Sequence, residues 1–266
     1  MVKKILNSIF FKFWLFLDER INFKNKLDYP KNDIMMETRS KIELYRLNSC
    51  QKEPGTVKWL EENIKKGDVF FDIGANVGAY SLIAYAITSG ECIVYAFEPS
   101  FSTYNALCKN ILINKAAGKI IPLNIGLSDQ TEIQRFTFYN IEAGSALHCL
   151  GSPTSKYLSK VDSLVFQPIL TFTLDQLIQE FKLKQPNHIK IDVDGNELLI
   201  LKGMIATLQE ESLKTIIIEV DKDESSAEKI VNLLTQYGYS IECEYPHGNS
   251  NIVDFVFINL NGLDKK

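Results

Sequence analysis

The chain has 266 residues, of which 45% are hydrophobic and 23% are charged, and its formal net charge is -4. This is the composition of an ordinary globular protein, and the length allows one domain or two. The slight negative charge gives no electrostatic reason to expect nucleic acid as a partner. The five cysteines form no paired motif, which argues against a zinc site or a disulfide framework and favours a reducing, cytoplasmic compartment.

The first 17 residues combine a basic start with an apolar stretch. Asn7, Ser8 and Lys12 interrupt that stretch, and charged residues follow where a signal peptide would have its cleavage site. It is also shorter than the roughly 20 apolar residues that a membrane-spanning helix needs. Two interpretations remain: a helix that packs on the domain or on a second copy in a homodimer, or an amphipathic helix at a membrane surface. We assign residues 1–54 to a helical or irregular extension without recognisable chemistry.

From Gly67 onward, short apolar runs alternate with amphipathic segments. The runs are typical of buried parallel strands and the segments of helices that cover a sheet, so we predict an α/β domain over residues 55–266. The predicted strands are 69–74, 92–99, 119–126, 188–195 and 215–221, and the predicted helices are 77–88, 102–114, 196–209 and 226–237.

Two further features interrupt or end this alternation. Residues 131–140 alternate in polarity and could add a strand, whereas residues 141–168 are irregular and predict an insertion over the functional site. The last apolar runs, 240–245 and 252–259, are joined by PHGNSN and predict a hairpin. The last strand must then run antiparallel to the others.

The segment FFDIGANVGAYS (70–81) is an apolar strand that ends in an acid and is followed at once by a glycine turn. A dinucleotide fingerprint would need glycine at Asn76 and Ala79, and a phosphate-binding loop would need its second glycine one position after Gly78. Asp72, just before the turn, would repel a phosphate. The turn therefore favours a ligand with an ammonium group or hydroxyls.

The next two predicted strands also end in polar groups. Glu98 stands at the end of the second strand, where a carboxylate can accept hydrogen bonds from the two hydroxyls of a ribose. Ser128 and Asp129 follow the third strand and could meet the edge of an adenine. Because carboxyl ends of parallel strands share one edge of the sheet, these groups predict a site for a nucleoside-sized ligand.

Five segments together resemble the FkbM-type family of S-adenosylmethionine-dependent methyltransferases: VFFDIGANVGAYS, VYAFEPS, NIGLSD, IKIDVDGNELLILKGM and TIIIEV. The resemblance implies a Rossmann-like, seven-stranded, mostly parallel sheet with helices on both faces and an antiparallel last strand. It implies S-adenosyl-L-methionine as the cofactor and methyl transfer to a hydroxyl of a sugar, glycan or related small metabolite. One departure is Asp194, where the family usually has glutamate.

The resemblance also implies roles for individual residues. Glu98 would bind the ribose, and Ser128 with Asp129 would lie on the adenine side. The methionine part of the cofactor would be surrounded by Asp72, Gly74, Ala75, Asn76 and Gly78.

A base that takes the proton of the hydroxyl must lie at the carboxyl edge of the sheet. Asp192 and Glu219 end the fourth and fifth predicted strands. Asp192 would contact the cofactor or deprotonate the acceptor, and Glu219 would form a hydrogen bond with an acceptor hydroxyl. His148, in the irregular insertion, is a third candidate, and His247, in the hairpin turn, is an alternative. His188 begins its strand, at the opposite end, and is expected to be structural.

Other readings of the site stay open. Asp192, Asp194 and Glu219 could offer oxygen ligands to Mg²⁺, but nothing in their spacing requires it, and we predict no metal. Asp194 is expected to be structural, near the start of a helix. Alternative functions are an NAD-dependent oxidoreductase and a catalytically inactive protein with a methyltransferase fold.

Overall fold

A computed structural model describes residues 10–12, 23–151, 165–224, 226–248 and 250–261. Most of the segment 1–17, with the two interpretations given above, and about half of the insertion 141–168 lie outside the described residues. Residues 10–12 are helical and exposed. Within the described ranges, no helix is both long and apolar enough to cross a membrane.

The N-terminal part contains more regular structure than the sequence predicts. Its elements are β1 (Lys24–Lys26), β2 (Met35–Glu37), α1 (Lys41–Arg46), α2 (Ser49–Lys52) and α3 (Pro54–Asn63). The helices agree with the expectation, but the antiparallel pair β1–β2 was not predicted. Its strands are too short to show an alternating pattern. β2 is held by distant side chains, since Asn110 and Asn114 accept hydrogen bonds from backbone N–H groups of Glu37 and Met35 at 2.8 and 2.9 Å.

The rest of the chain alternates between strands and helices. In chain order the elements are β3 (Val69–Ile73), α4 (Ala79–Ile87), β4 (Ile93–Phe97), α5 (Phe101–Ile113), β5 (Ile120–Leu123), β6 (Gly126–Leu127), β7 (Glu132–Phe138), β8 (Cys149–Leu150), β9 (Val165–Phe172), α6 (Leu174–Phe181), β10 (His188–Ile191), α7 (Glu197–Lys202), α8 (Ile205–Leu208), β11 (Thr215–Asp221), α9 (Ala227–Gln236), β12 (Tyr239–Pro246) and β13 (Ile252–Asn259).

Seven of these strands form the central sheet, in the order β12-β13-β11-β10-β3-β4-β5. β13 is antiparallel to both of its neighbours, and the other described pairings in this sheet are parallel. The predicted fold class and the antiparallel last strand are thereby confirmed. The helix predicted over 196–209 is divided at Gly203, where a Cβ atom would lie 2.1 Å from the carbonyl oxygen of Ser128.

Helices cover both faces of this sheet because successive residues of each strand point in opposite directions. Phe70 of β3 packs in one apolar cluster, with residues of α3, α4 and α5. Phe71 and Ile73 pack in a second cluster, with residues of α6, α7, α8 and α9. Burial on both faces fixes the strands, so the polar residues at their carboxyl ends are held in place.

A second, smaller sheet has the order β6-β9-β7-β8. β7 confirms that residues 131–140 add a strand. The insertion 141–168 is less irregular than predicted, because β8 lies within it and β9 begins at Val165. Phe136, Leu150 and Ile169 of this sheet reach the cavity described next.

Candidate active site

A cavity of about 400 Å³ lies at the carboxyl ends of β3, β4, β10 and β11. Its volume is within the range of small-molecule sites, and its place is where open α/β sheets bind ligands. We use the name strand wall for six residues that line the cavity at or just after the strand ends: Gly74, Ala75, Asn76, Glu98, Asp192 and Glu219. The outer wall comprises the polar residues supplied by other segments: Arg46, Lys52, Glu53, Ser145, His148, Asp194 and His247.

The turn after β3 is fixed by its neighbours on both sides. The N–H groups of Gly74 and Ala75 both donate to the carbonyl of Phe97, each at 3.0 Å. Gly74 has a φ of 80°, and a Cβ atom on it would lie 1.9 Å from the carbonyl oxygen of Asp192. The adjacent backbone therefore leaves room only for glycine at this position. Gly74, Ala75 and Asn76, three of the predicted ligand neighbours, all line the cavity.

Two predicted ligand neighbours in this motif lie behind the cavity. Gly78 precedes α4 with a φ of 89°, and a Cβ atom there would lie 2.6 Å from Leu107. Asp72 is fully buried, and its Oδ2 accepts a hydrogen bond from the Ser81 hydroxyl at 2.5 Å. Burial raises the pKa of Asp72, and the charge of Lys190 on the neighbouring strand opposes that rise. Neither residue is among those that line the cavity.

Glu98 is a buried carboxylate that faces the cavity and is anchored by backbone. Its Oε2 accepts from the N–H of Asn76 at 3.0 Å, and its Oε1 accepts from the N–H of Ser100 at 2.9 Å. Burial raises the pKa of Glu98 to about 7 in spite of these hydrogen bonds. A carboxylate held in one orientation, with lone pairs to spare, suits a pair of vicinal hydroxyls.

The segment after β5 contributes apolar surface, and its polar residues turn away. Ser128 is buried and donates its N–H to the carbonyl of Phe172 at 3.0 Å, while its hydroxyl lies 3.3 Å from Asp129. Neither of these two predicted residues lines the cavity. The residues just before them, Ile125 and Leu127, do line it. We call the apolar lining residues on this side of the cavity the apolar slot: Phe97, Pro99, Ile125, Leu127, Phe136 and Ile169.

Asp192 forms an ion pair inside the cavity. Its Oδ2 lies 2.7 Å from Nζ of Lys190, which is 3% exposed and lies over the ring of Tyr80. Burial alone would raise the pKa of Asp192, but the Lys190 charge outweighs it and keeps that pKa below its ordinary value. Asp192 therefore stays ionised and is a weak base.

Glu219 has the opposite behaviour. Burial, together with the charges of Asp192, Glu53 and Asp254, raises the pKa of Glu219 to about 10. Carboxylate oxygens of Glu53, Asp192 and Glu219 lie within 4.8 Å of one another, so three acids share one small region. The raised pKa favours the protonated form of Glu219, which can donate a hydrogen bond to a ligand.

His247 lies in the turn between β12 and β13, and this turn lies on the cavity side as the topology predicts. Its Nε2 lies 2.9 Å from Oδ2 of Asp254, and its Nδ1 lies 3.5 Å from Oε2 of Glu219. Asp254 is buried and also accepts from the Thr56 hydroxyl at 3.2 Å. The hydrogen bond to Asp254 raises the pKa of His247 more than burial lowers it.

His148 lines the same cavity in an apolar setting. Its ring packs edge-on against Phe136 and Phe138, and its Nδ1 accepts a long hydrogen bond, 3.4 Å, from the N–H of Tyr139. Burial lowers the pKa of His148 to about 4. Its Nε2 and the Ser145 hydroxyl are buried without a hydrogen-bond partner among the described residues, so both are available to a ligand.

Asp194 has a different structural role from the one predicted. It has a φ of 53° and does not cap α7. Instead, its Oδ2 accepts a hydrogen bond from the N–H of Leu147 at 2.6 Å, and burial raises its pKa to about 6. Asp194 therefore anchors the loop that carries His148.

Sequence reasoning missed the residues that the N-terminal extension brings to the site. Arg46, Lys52 and Glu53 line the cavity although their segment shows no motif. No spacing in residues 1–54 signals their place, because it follows from how α1 and α2 pack. In contrast, His188 lies away from the cavity, between Thr215 Oγ1 (2.8 Å) and Asp68 Oδ2 (3.3 Å), as expected of a structural histidine.

Some acidic groups and a histidine lie close enough together to share a metal ion, but they are not the set considered from the sequence, Asp192, Asp194 and Glu219. Within the described residues the sets are Glu219 with His247 and Asp254, and Glu53 with Asp192 and Glu219; Asp194 is in neither. Lys190 pairs with Asp192 and Lys52 pairs with Glu53, which offsets the charge of these two acids, and His247 lies beside Asp254 and Glu219.

The cavity fits an amino-acid-bearing nucleoside. The apolar slot suits a flat base, the fixed Glu98 carboxylate suits a ribose, and the partnerless Ser145 hydroxyl and His148 Nε2 suit polar ligand atoms. Asp192 and Arg46 offer both signs of charge to a zwitterion.

Comparison with known proteins agrees with this geometry. The chain is 31% identical over 178 residues to the hexuronic acid methyltransferase AglP of Haloferax volcanii. This match covers 67% of this chain and 66% of that relative. It is 26% identical over 201 residues to the 31-O-demethyl-FK506 methyltransferase FkbM of Streptomyces tacrolimicus, covering 68% of this chain and 76% of that one.

A solved structure, the methyltransferase FkbM from Methylobacillus flagellatus, shares the fold. The TM-score is 0.53 at 15% identity, and the match covers 82% of this chain and 55% of that one. Residues 72–241 match the Methyltransferase FkbM domain. The chain therefore belongs to the FkbM methyltransferase family, whose cofactor is S-adenosyl-L-methionine.

Proposed function

We propose that this protein is an S-adenosylmethionine-dependent O-methyltransferase that acts on a hydroxyl of a sugar, glycan or related hydroxylated metabolite. The observation that carries the proposal is the His247–Asp254 pair, which lies at the same cavity as the ribose-type carboxylate Glu98. A hydroxyl is a poor nucleophile, and a positioned base is what this chemistry needs. The printed names of two relatives, a hexuronic acid methyltransferase and a 31-O-demethyl-FK506 methyltransferase, support an oxygen-rich small acceptor.

The strand wall is proposed to hold the cofactor. Glu98 accepts the ribose hydroxyls, and the turn Gly74, Ala75 and Asn76 borders the amino-acid part. Ile125 and Leu127 contact the base in place of Ser128 and Asp129, which do not reach the cavity. When bound, S-adenosylmethionine supplies a methyl group already activated by a positively charged sulfur.

His247 is proposed as the general base. Asp254 accepts a hydrogen bond from Nε2–H and so fixes the tautomer in which Nδ1 carries the lone pair, on the side of Glu219 and the cavity. Nδ1 can then take the proton of the acceptor hydroxyl. Glu219, which stays protonated, donates a hydrogen bond that orients the acceptor oxygen.

The other two catalytic candidates fit supporting roles. Asp192 keeps its negative charge and is held by Lys190, so it suits contact with a positive group rather than proton abstraction. His148 has a pKa of about 4 and would be a weak base at neutral pH. Its buried Nε2 suits a hydrogen bond to the cofactor or acceptor.

Transfer of labelled methyl groups from S-adenosylmethionine tests the proposal. The full chain would be incubated with glucose, glucuronic acid, and an amine and a thiol of similar size. We expect the label on a hydroxyl oxygen of a sugar, located by NMR. Label only on nitrogen or sulfur would contradict the O-methyltransferase assignment, and calorimetric binding of NAD without S-adenosylmethionine would favour an oxidoreductase.

A further inference from the structure

The cations that line the cavity differ in whether they already have a partner. Lys52 lies 2.6 Å from a carboxylate oxygen of Glu53, and Lys190 lies 2.7 Å from Asp192. Arg46 forms no salt bridge with any carboxylate in the part of the chain that the structure describes. Its positive charge is therefore left for a group that enters the cavity.

Arg46 is held in position although it has no acidic partner among the described residues. Its Nε donates to the carbonyl of Gly144 at 2.7 Å, which uses one of the five N–H groups of the guanidinium. Its side chain also packs on Gly144, where a Cβ atom would lie 3.4 Å from Arg46 Cγ. A guanidinium fixed through Nε keeps its two terminal nitrogens free for a planar acceptor.

Two carboxylates that line the same cavity accept hydrogen bonds from backbone N–H groups. Glu98 is bound by the N–H groups of Asn76 and Ser100, and Asp194 is bound by the N–H of Leu147. Arg46 nevertheless lines the same cavity as Glu98, Asp192 and Asp194. Because Arg46 and Asp192 offer opposite charges, the cavity can accept a zwitterion as well as an anion.

We propose that Arg46 binds a carboxylate of the ligand in this cavity. Planar guanidinium and carboxylate groups match in a bidentate pair, which a lysine at the same place does not reproduce. Two sources fit this chemistry: the methionine carboxylate of the cofactor, and the carboxylate of a uronic acid acceptor. The second source rests on the proposed function, whereas the first rests only on the cofactor.

Calorimetry tests the first source. S-adenosylhomocysteine carries the carboxylate, and 5′-methylthioadenosine has the same nucleoside without it. If Arg46 binds the cofactor, Arg46→Gln should weaken S-adenosylhomocysteine about 10- to 100-fold and leave 5′-methylthioadenosine unchanged. Arg46→Lys should restore part of the loss. Lys58→Gln removes an exposed charge of α3 outside the cavity and should change neither affinity.

NMR titration of the protein loaded with S-adenosylhomocysteine tests the second source without requiring turnover. Glucuronic acid should bind more tightly than glucose, and Arg46→Gln should abolish that difference. The proposal is overturned if Arg46→Gln, with an unchanged melting temperature, alters neither the preference for S-adenosylhomocysteine nor that for glucuronic acid. An equal loss for both nucleosides would also overturn it, because it would indicate a structural role. Failure of sugar methylation alone would contradict the proposed function and leave this binding result intact.

Discussion

The two walls of the cavity are built in different ways. The strand wall stands on four neighbouring strands of a sheet that is buried on both faces, and its carboxylate Glu98 is tied to the backbone of Asn76 and Ser100. The outer wall is assembled from segments that are distant in sequence. Single contacts hold it, such as Arg46 to Gly144 and Asn76 Nδ2 to the carbonyl of Ser145 at 3.0 Å. Under the proposed function, the strand wall holds the nucleoside of the cofactor through Glu98 and the turn 74–76, and the outer wall carries the base His247 and the carboxylate-binding Arg46.

The largest effect on turnover is expected at the hairpin. His247→Gln should lower kcat by about 10²–10⁴-fold, because the proton of the acceptor hydroxyl loses its base. The affinity for S-adenosylhomocysteine, measured by calorimetry, should stay within about threefold, since the strand wall is intact. A kcat close to that of the unchanged protein would show that His247 is not the base.

The pH profile of kcat sharpens that assignment. Because the hydrogen bond to Asp254 raises the pKa of His247 above 6.5, activity should fall as pH drops through a value higher than 6.5. Asp254→Asn removes this stabilisation of the imidazolium and should move the acidic limb to lower pH, with a lower maximal rate. An acidic limb that does not move would show that another group controls it.

The next effect is expected in the strand wall. Glu98→Ala should weaken S-adenosylhomocysteine and 5′-methylthioadenosine alike, by about 10- to 100-fold, because both carry the ribose that charged hydrogen bonds would hold. Glu91→Ala, an exposed glutamate paired with Lys66, is the matched control. Affinities unchanged by Glu98→Ala would place the ribose elsewhere and break the assignment of this wall to the cofactor.

The contrast between the walls also explains which parts of the site can be predicted from the sequence. The strands, the polar residues at their ends and the place of Glu98 at the cavity can be predicted from local patterns. This is possible because buried strands and a shared carboxyl edge are common to the whole fold. Asp72 and Ser128 show the limit of that reasoning. Proximity to a strand end does not determine which way a side chain points, and both are turned into the protein.

For the outer wall, the sequence predicts which residues reach the cavity only where the strand topology alone decides their position. His247 could be placed on the cavity side because one hairpin turn must lie there. Arg46 and Glu53 could not be placed, because their positions depend on how two short helices pack over about 100 residues of intervening chain, as the contact of Arg46 with Gly144 shows. The same holds for Asp194, whose partner Leu147 belongs to a loop without a pattern.

A smaller effect is expected in the pH dependence of stability without ligand. Glu98 has a pKa of about 7 in the folded protein against an ordinary 4.5, so the folded state binds its proton more tightly. Its contribution to the free energy of unfolding is complete below pH 4.5 and is lost as pH rises through 7, a loss of about 3 kcal/mol. Glu98→Gln should therefore reduce the fall in melting temperature between pH 5 and pH 8 by roughly 5–10 °C. Superimposable melting curves for the two proteins across this range would contradict the buried, ionisable Glu98.

The smallest effect is expected where the outer wall is tethered, at Asp194. Asp194→Ala removes the acceptor of the Leu147 N–H and should cost about 1–2 kcal/mol, seen as faster hydrogen exchange over residues 141–148. Asp194→Asn keeps an acceptor oxygen and removes a charge whose pKa burial raises to about 6, so it should be at least as stable as the natural protein at pH 8. Exchange in the turn 74–76 should not change in either variant, because β4 holds that turn through the carbonyl of Phe97. If both variants loosened the turn as much as the loop, the two walls would behave as one unit, and the division of labour between cofactor and acceptor sides would have to be abandoned.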